Sequence, residues 1–260
     1  MLKFRGPKDG VDLKYRAQRR ELSECDQFAI TLFAEPQPNI HELEWDILLL
    51  LDACRADYFK RQNTIPGKTT LYQQAVTETA SWLLNTFGDG FYDYIYVSGN
   101  PVCNSKMETF GFEGRKHIKT IIDVWDYGWD EDVSTVTPTR LVDEALDYIN
   151  GDKRVVVHFM QPHTPFLHYR EPIYAWKPDA AACHRPETEI LLPPSQMREL
   201  YAKNLDAVLE EIERLIKSTE RKVVITTDHG ELLGECGIYF NPPQMDCPIL
   251  TTIFWHEVKK

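Results

Sequence analysis

Residues Lys222 to Glu235 read KVVITTDHGELLGE, and this stretch decides the fold. Val223, Val224, Ile225, Thr226 and Thr227 form a near-continuous branched run, the character of a strand covered on both faces in a parallel sheet. The run stops at Asp228-His229-Gly230-Glu231. Chemistry in such sheets sits beyond the carboxyl ends of the strands. A carboxylate beside an imidazole there supplies one hard oxygen and one borderline nitrogen, a pair suited to zinc, manganese or iron. Gly230 lets the backbone turn without a Cβ in the way.

Working outward, other strand ends repeat the pattern. Asp46 to Leu51 (DILLLL) predicts a buried strand that ends in Asp52, with ACRADYFKRQ continuing as a short helix in which Arg55 pairs with Asp57 or Asp46. Val155 to Phe159 predicts another strand, with His158 inside it as a hydrogen-bonded core histidine and His163 following in MQPHTPF. Tyr92 to Val97 leads into Ser98-Gly99-Asn100-Pro101, where Asn100 reads as a turn residue before proline. Between them, Thr64 to Thr70 reads as a loop and Leu71 to Val76 as a short strand. Thr77 or Thr79 then caps a helix carrying Trp82, Leu83 and Phe87. A helix entrance with a hydroxyl also suits a phosphorylated or sulfated group.

The remaining elements alternate. Lys119 to Tyr127 reads as a strand, and Thr137-Pro138 opens a helix with cap and proline in the favoured order. Residues 168–193 read as an irregular excursion over the active face. Ser195 is the expected cap of a long helix whose stripe runs from Met197 to Ile216, and Ile249 to Trp255 closes the chain as a strand. The fold class expected is therefore α/β, a mostly parallel central sheet with helices on both faces. Residues 1–40 form an arm packed on the outside, and residues 41–260 a single α/β domain.

Bulk properties narrow the function. A formal charge of −11 argues against nucleic acid as partner, because a phosphate-backbone footprint needs clustered Lys and Arg. A small anionic ester remains compatible, since one cation and a few donors outweigh the global sign locally. The six cysteines contain no CxxC pair, which fits free thiols in a reduced compartment. The N-terminus lacks an apolar signal core, and the longest apolar run, Ile47 to Leu51, is too short to span a bilayer. These features predict a cytoplasmic protein without a membrane span; the oligomeric state has no signature in the sequence.

Taken together, LLLLDACRAD, VVVHFMQPHTPF and VVITTDHGELLGE resemble the alkaline phosphatase superfamily, within it the sulfatase-like branch, in a compact form without the usual C-terminal subdomain. The resemblance implies that Asp52, Asp228 and His229 bind a divalent metal, Mn²⁺ or Zn²⁺ with Ca²⁺ or Mg²⁺ as alternatives. It also implies that Thr79 is the nucleophile with its oxygen on the metal, Thr77 and Ser81 being close rivals. Asn100 then matches an amide on a phosphate oxygen, and His163 the group that binds or protonates the scissile ester oxygen. Two departures stand out. Phe240-Asn241-Pro242 occupies the place of a usual Gly-His-Pro histidine, and asparagine is a poor zinc ligand, which leaves one metal site rather than two. No Cys-x-Pro-x-Arg pattern for formylglycine formation exists. The function expected is metal-dependent hydrolysis or transfer of phosphate mono- or diesters through a covalent threonine intermediate. The alternatives are a sulfatase-like sulfuric ester hydrolase without formylglycine, and a non-catalytic anion- or glycan-binding homologue.

Overall fold

The structure is a computed structural model that describes residues 35–169 and 192–260. Most of the expected N-terminal arm and of the 168–193 excursion lies outside the described residues. In chain order the strands and helices begin with β1 (Glu35–Pro36), β2 (Ile47–Asp52), α1 (Ala56–Gln62), β3 (Gly67–Gln73), α2 (Thr79–Phe87) and β4 (Tyr92–Ser98). They continue with β5 (Ile118–Asp123), α3 (Val124–Tyr127), the short pair β6 (Trp129–Asp130) and β7 (Thr135–Val136), α4 (Pro138–Ala145) and β8 (Val155–Pro162). The long helix α5 (Pro194–Ile216), β9 (Val223–Thr227), the hairpin β10 (Leu232–Glu235) and β11 (Ile238–Phe240), α6 (Pro248–Thr251) and β12 (Thr252–Val258) complete the chain.

Eight strands form one sheet in the order β1-β3-β12-β9-β2-β8-β4-β5. All neighbours pair parallel except β12, which runs antiparallel to both β9 and β3. The period of two in β2 divides the core. Ile47, Leu49 and Leu51 pack with α1, α4 and α5 on one face, and Leu48 and Leu50 pack with Trp82, Leu83 and Phe87 of α2 on the other. Helices therefore cover both faces, as the apolar run of Ile47 to Leu51 requires.

Some local readings are revised. Strand β3 starts at Gly67 rather than Leu71, because β12 pairs antiparallel along it through Val258↔Gly67 and carries the polar residues Lys68 to Thr70 into the ladder. The Lys119–Tyr127 segment splits into β5 and the one-turn helix α3. The last strand starts at Thr252, after α6 has taken up Pro248–Thr251. Helix α5 begins at Pro194 with Pro193 as N-cap and no side-chain cap; proline at the first turn needs no N–H partner, so Ser195 is not required as a cap. Thr137 does cap α4, accepting a hydrogen bond from Arg140 N.

Candidate active site

Strands β9, β2 and β8 are adjacent and parallel, so the residues at their carboxyl ends meet. Asp52 is the last residue of β2, and Asp228 directly follows β9. Thr227 ties the two ends together: its hydroxyl hydrogen-bonds Leu51 O at 2.8 Å and accepts from Cys54 N at 2.9 Å. Ala53 adopts φ 55° as the chain leaves β2, and its N–H donates to Asp228 Oδ1 at 2.9 Å. Tyr201 of α5 steadies the same turn, donating to Ala53 O at 2.7 Å and accepting from Arg55 N at 2.8 Å. Gly230 permits the close approach of the chain on the other side, where a Cβ would collide with Ile249 O.

Asp52, Asp228 and His229 are all buried, and one ligand-type atom from each lies within 4.8 Å of the others. Nε2 of His229 is 3.3 Å from Asp228 Oδ2 and 3.6 Å from Asp52 Oδ1, while its Nδ1 is held by Gly230 O at 2.9 Å. That carbonyl accepts from Nδ1–H, which leaves the Nε2 lone pair facing the carboxylates. Burial disfavours the imidazolium and lowers the pKa of His229, keeping the ligand form of the ring. Burial, reinforced by Asp228, pushes the Asp52 carboxyl well above its ordinary range. Among the described residues, Asp228 Oδ2 has no hydrogen-bond partner although it is buried. A buried carboxylate oxygen without a donor asks for a cation. Two carboxylates and one imidazole, hard and borderline donors together, fit a divalent ion such as Zn²⁺ or Mn²⁺.

Thr79 is brought to this group. It is the first residue of α2, not its cap, the N-cap being Glu78 without a side-chain bond. The Thr79 hydroxyl is freed from capping and lies 3.4 Å from Asp52 Oδ1 and 3.3 Å from His229 Nε2. Its rivals point elsewhere: Thr77 donates to Pro242 O at 2.9 Å, and Ser81 to Glu78 Oε1 at 2.7 Å. Asn100 arrives from the end of β4, donating from Nδ2 to Asp52 Oδ2 at 2.7 Å and accepting from Val102 N at Oδ1. Thus it anchors Asp52 and closes its own turn at once. Asn241 stands 3.5 Å from His229 Nε2 through its own Nδ2.

His163 sits beside the group on the loop after β8, its Nδ1 on Thr164 O at 2.8 Å and its Nε2 3.7 Å from Glu231 Oε1. Burial works to lower the His163 pKa, but the carboxylates of Glu231 and Asp52 outweigh it and raise it to about 9. Burial in turn raises Glu231 to about 7, against the pull of His163 and Arg55. Sequence reasoning quoted Glu231 without giving it a role; its placement one residue past the glycine turn was the available signal. Neither carboxylate oxygen of Glu231 has a hydrogen-bond partner among the described residues. Asn204 was also missed. This buried residue in the apolar stripe of α5 donates to the carbonyls of Pro162, His163 and Pro165 and accepts from Leu167 N. A lone amide amid a hydrophobic helix face was the clue. His158 is the expected core histidine, with Nδ1 2.8 Å from Tyr96 OH. Arg55 pairs with Asp57 as expected and, across the fold, with Glu235 at 2.7 Å.

No family model matches the chain, and no curated protein does. Solved structures do. The soluble domain of lipooligosaccharide phosphoethanolamine transferase A from Neisseria meningitidis aligns with 81% of this chain and 75% of its own, at 17% identity and a TM-score of 0.52. Phosphonate monoester hydrolase of Agrobacterium radiobacter aligns with 82% of this chain and 68% of its own, at 11% identity and a TM-score of 0.50. A Vibrio parahaemolyticus structure described as a protein in the alkaline phosphatase superfamily covers 99% of this chain and 71% of its own, at 14% identity and a TM-score of 0.45. With β12 the one reversed strand in an otherwise parallel sheet and the Asp-His turn at its carboxyl edge, the chain shares the α/β fold of the phosphoethanolamine transferase domain and the phosphonate monoester hydrolase.

Proposed function

We propose that this chain is a metal-dependent enzyme of phosphoric esters, a hydrolase or transferase with Thr79 as nucleophile. The observation that carries the reading is the Thr79 hydroxyl set within 3.4 Å of both Asp52 and His229, beside the unpartnered Asp228 Oδ2. The activities named for the Neisseria meningitidis and Agrobacterium radiobacter proteins, phosphoethanolamine transfer and phosphonate monoester hydrolysis, are in keeping with it. Asp52, Asp228 and His229 would hold one divalent ion, Zn²⁺ or Mn²⁺, which when bound supplies a Lewis acid beside the reacting oxygens.

The chain's own residues then divide the work. Thr79 Oγ attacks phosphorus, its proton passing to Asp52 Oδ1 at 3.4 Å, and forms a phosphothreonine as the bond to the leaving oxygen breaks. His163, protonated at neutral pH because of its carboxylate neighbours, gives that oxygen its proton from Nε2. Asn100 keeps Asp52 in position and has one further amide hydrogen for a phosphate oxygen. Water, or the hydroxyl of an acceptor, finally attacks the phosphothreonine and gives its proton to His163 Nε2, while Thr79 Oγ leaves and takes its proton back from Asp52. The test is turnover of an aryl phosphate ester by Thr79→Ala with metal content measured alongside. Abolished turnover with metal retained supports the reading; undiminished turnover moves the nucleophile elsewhere.

A second reading, a non-catalytic anion- or glycan-binding homologue, draws on Asn241, whose amide approaches the same His229 nitrogen that a metal would use. Metal analysis of the purified protein separates the two.

A further inference from the structure

Thr79 reaches the Asp-His turn at the end of an irregular stretch, residues 74–78, that joins β3 to α2. Gln74 N is still tied to the main chain, donating to Thr251 O at 2.9 Å. Among the described residues, no main-chain hydrogen bond then joins residues 75–77 to another part of the fold. Trp82, Leu83 and Phe87 hold α2 against the sheet, and Val76 adds a partly buried contact to the same cluster. Apolar packing is non-directional, so it does not by itself fix how far the first residue of the helix reaches.

Side chains supply the directional ties. Nε2 of Gln74 donates to Val76 O at 3.1 Å, inside the stretch, and also to Asp228 O in the Asp-His turn. Two carbonyl oxygens face this amide and only its nitrogen can donate to them, so the group cannot turn over without losing both bonds. Its Oε1 is buried without a hydrogen-bond partner among the described residues, a cost that the two donated bonds offset. Asp228 is itself held, with Ala53 N and His229 N both donating to its Oδ1 at 2.9 Å. Farther along, Thr77 fastens the stretch to Pro242 O. In-line attack is sensitive to placement, a shift of about 1 Å costing about a hundredfold in rate. We propose that Gln74 is a positioning residue for Thr79, its amide fastening the 74–78 stretch to the Asp-His turn so that the hydroxyl meets the ester in line. The proposal rests on the phosphoric ester reading. Gln74 touches no reacting atom; it acts on the rate through Thr79 and leaves ester binding and the Asp52, Asp228 and His229 side chains as they are.

The experiment compares the Mn²⁺-loaded full chain with Gln74→Met, which keeps the length of the side chain and removes its donors. Turnover of nitrophenyl phosphate, metal content and circular dichroism are measured on each, with Thr79→Ala alongside. Expected for Gln74→Met is a kcat lower by about tenfold to a hundredfold, with KM, metal per chain and the dichroism spectrum unchanged. A folded Gln74→Met with native kcat overturns the proposal, and so does a change confined to KM. Metal lost in step with turnover also overturns it, because Gln74 then serves the ion rather than the nucleophile. If Gln74→Met does not fold, Gln74→Asn, whose amide is one methylene too short to reach both carbonyls, is judged by the same outcomes. An inactive Thr79→Ala beside a fully active Gln74→Met removes the positioning role alone; turnover that survives in Thr79→Ala removes the ester reading and the proposal with it.

Discussion

The side-chain amide of Asn204 lies 3.2 Å from the backbone carbonyl of His163, at the point where the loop after β8 meets α5. One buried side chain thereby supports the loop that carries the proposed proton donor. Asn204→Ala leaves the carbonyls of Pro162, His163 and Pro165 without that donor and Leu167 N without its acceptor. A loss of about 2–4 kcal/mol in urea unfolding is expected. If the loop positions His163, kcat falls more for aryl phosphates with poor leaving groups than for good ones. An equal fall across the series assigns Asn204 to stability alone.

Chelation tests the buried carboxylates. Asp52, Asp228 and Glu231 crowd together, and three of their buried oxygens have no hydrogen-bond partner among the described residues. Dialysis against EDTA lowers Tm, and Mn²⁺ or Zn²⁺ at about one hundred times its Kd restores about 2.7 kcal/mol. Asp228→Asn removes the metal-dependent increment. A Tm indifferent to both chelator and metal denies the ion a place in the folded state.

Arg55 joins the turn after Asp52 to the β10–β11 hairpin. Its guanidinium is nearly buried and pairs with Asp57 at 2.9 Å and Glu235 at 2.7 Å. Arg55→Met removes the ion-pair partner of Asp57 and leaves Glu235 with Arg198 and Leu233 N, and costs about 3 kcal/mol. Proteolysis should then cut first near residues 232–240. A double variant, Arg55→Met with Glu235→Met, recovers part of the loss, because no charge is left facing the vacated guanidinium on that side.

Acid sensitivity follows from His158. Burial lowers its pKa from 6.5 to about 4 in the folded chain. The unfolded state therefore binds the proton first, and His158 contributes stability that is full above pH 6.5 and disappears as pH falls towards 4. The ceiling on that contribution is about 3 kcal/mol. His158→Gln, which keeps a partner for Tyr96 OH, has a shallower decline in Tm over this window. Parallel profiles for the two proteins would place the acid lability in other groups.

The strands of the site were legible in the sequence because burial on both faces writes a continuous apolar run, as in Ile47 to Leu51 and Val155 to Phe159. Convergence of Asp52, Thr79, Asn100, His163, Asp228 and His229 followed from parallel order once each sat at a strand end or a helix start. What the sequence hides is set by partners far along the chain. Strand β3 extends into Lys68 and Thr69 only because β12 lies against it, and no local propensity of those residues says so. Ser195 looked like a cap, yet Pro193 and Pro194 had already set the dihedrals that start the helix. The surroundings of Asn204 and Glu231 are set by what packs over them, which spacing does not encode.

The Gly230 turn has a consequence for how this molecule can decay. Its hydrogen occupies the only room between the Asp-His pair and the main chain at Ile249, so a methyl group there would push α6 and then β12 out of line. Replacing His229 subtracts chemistry and keeps the architecture; replacing Gly230 dislodges the architecture itself. A variant stripped of the Asp-His pair would therefore still need this glycine, which outlasts any chemistry the turn performs.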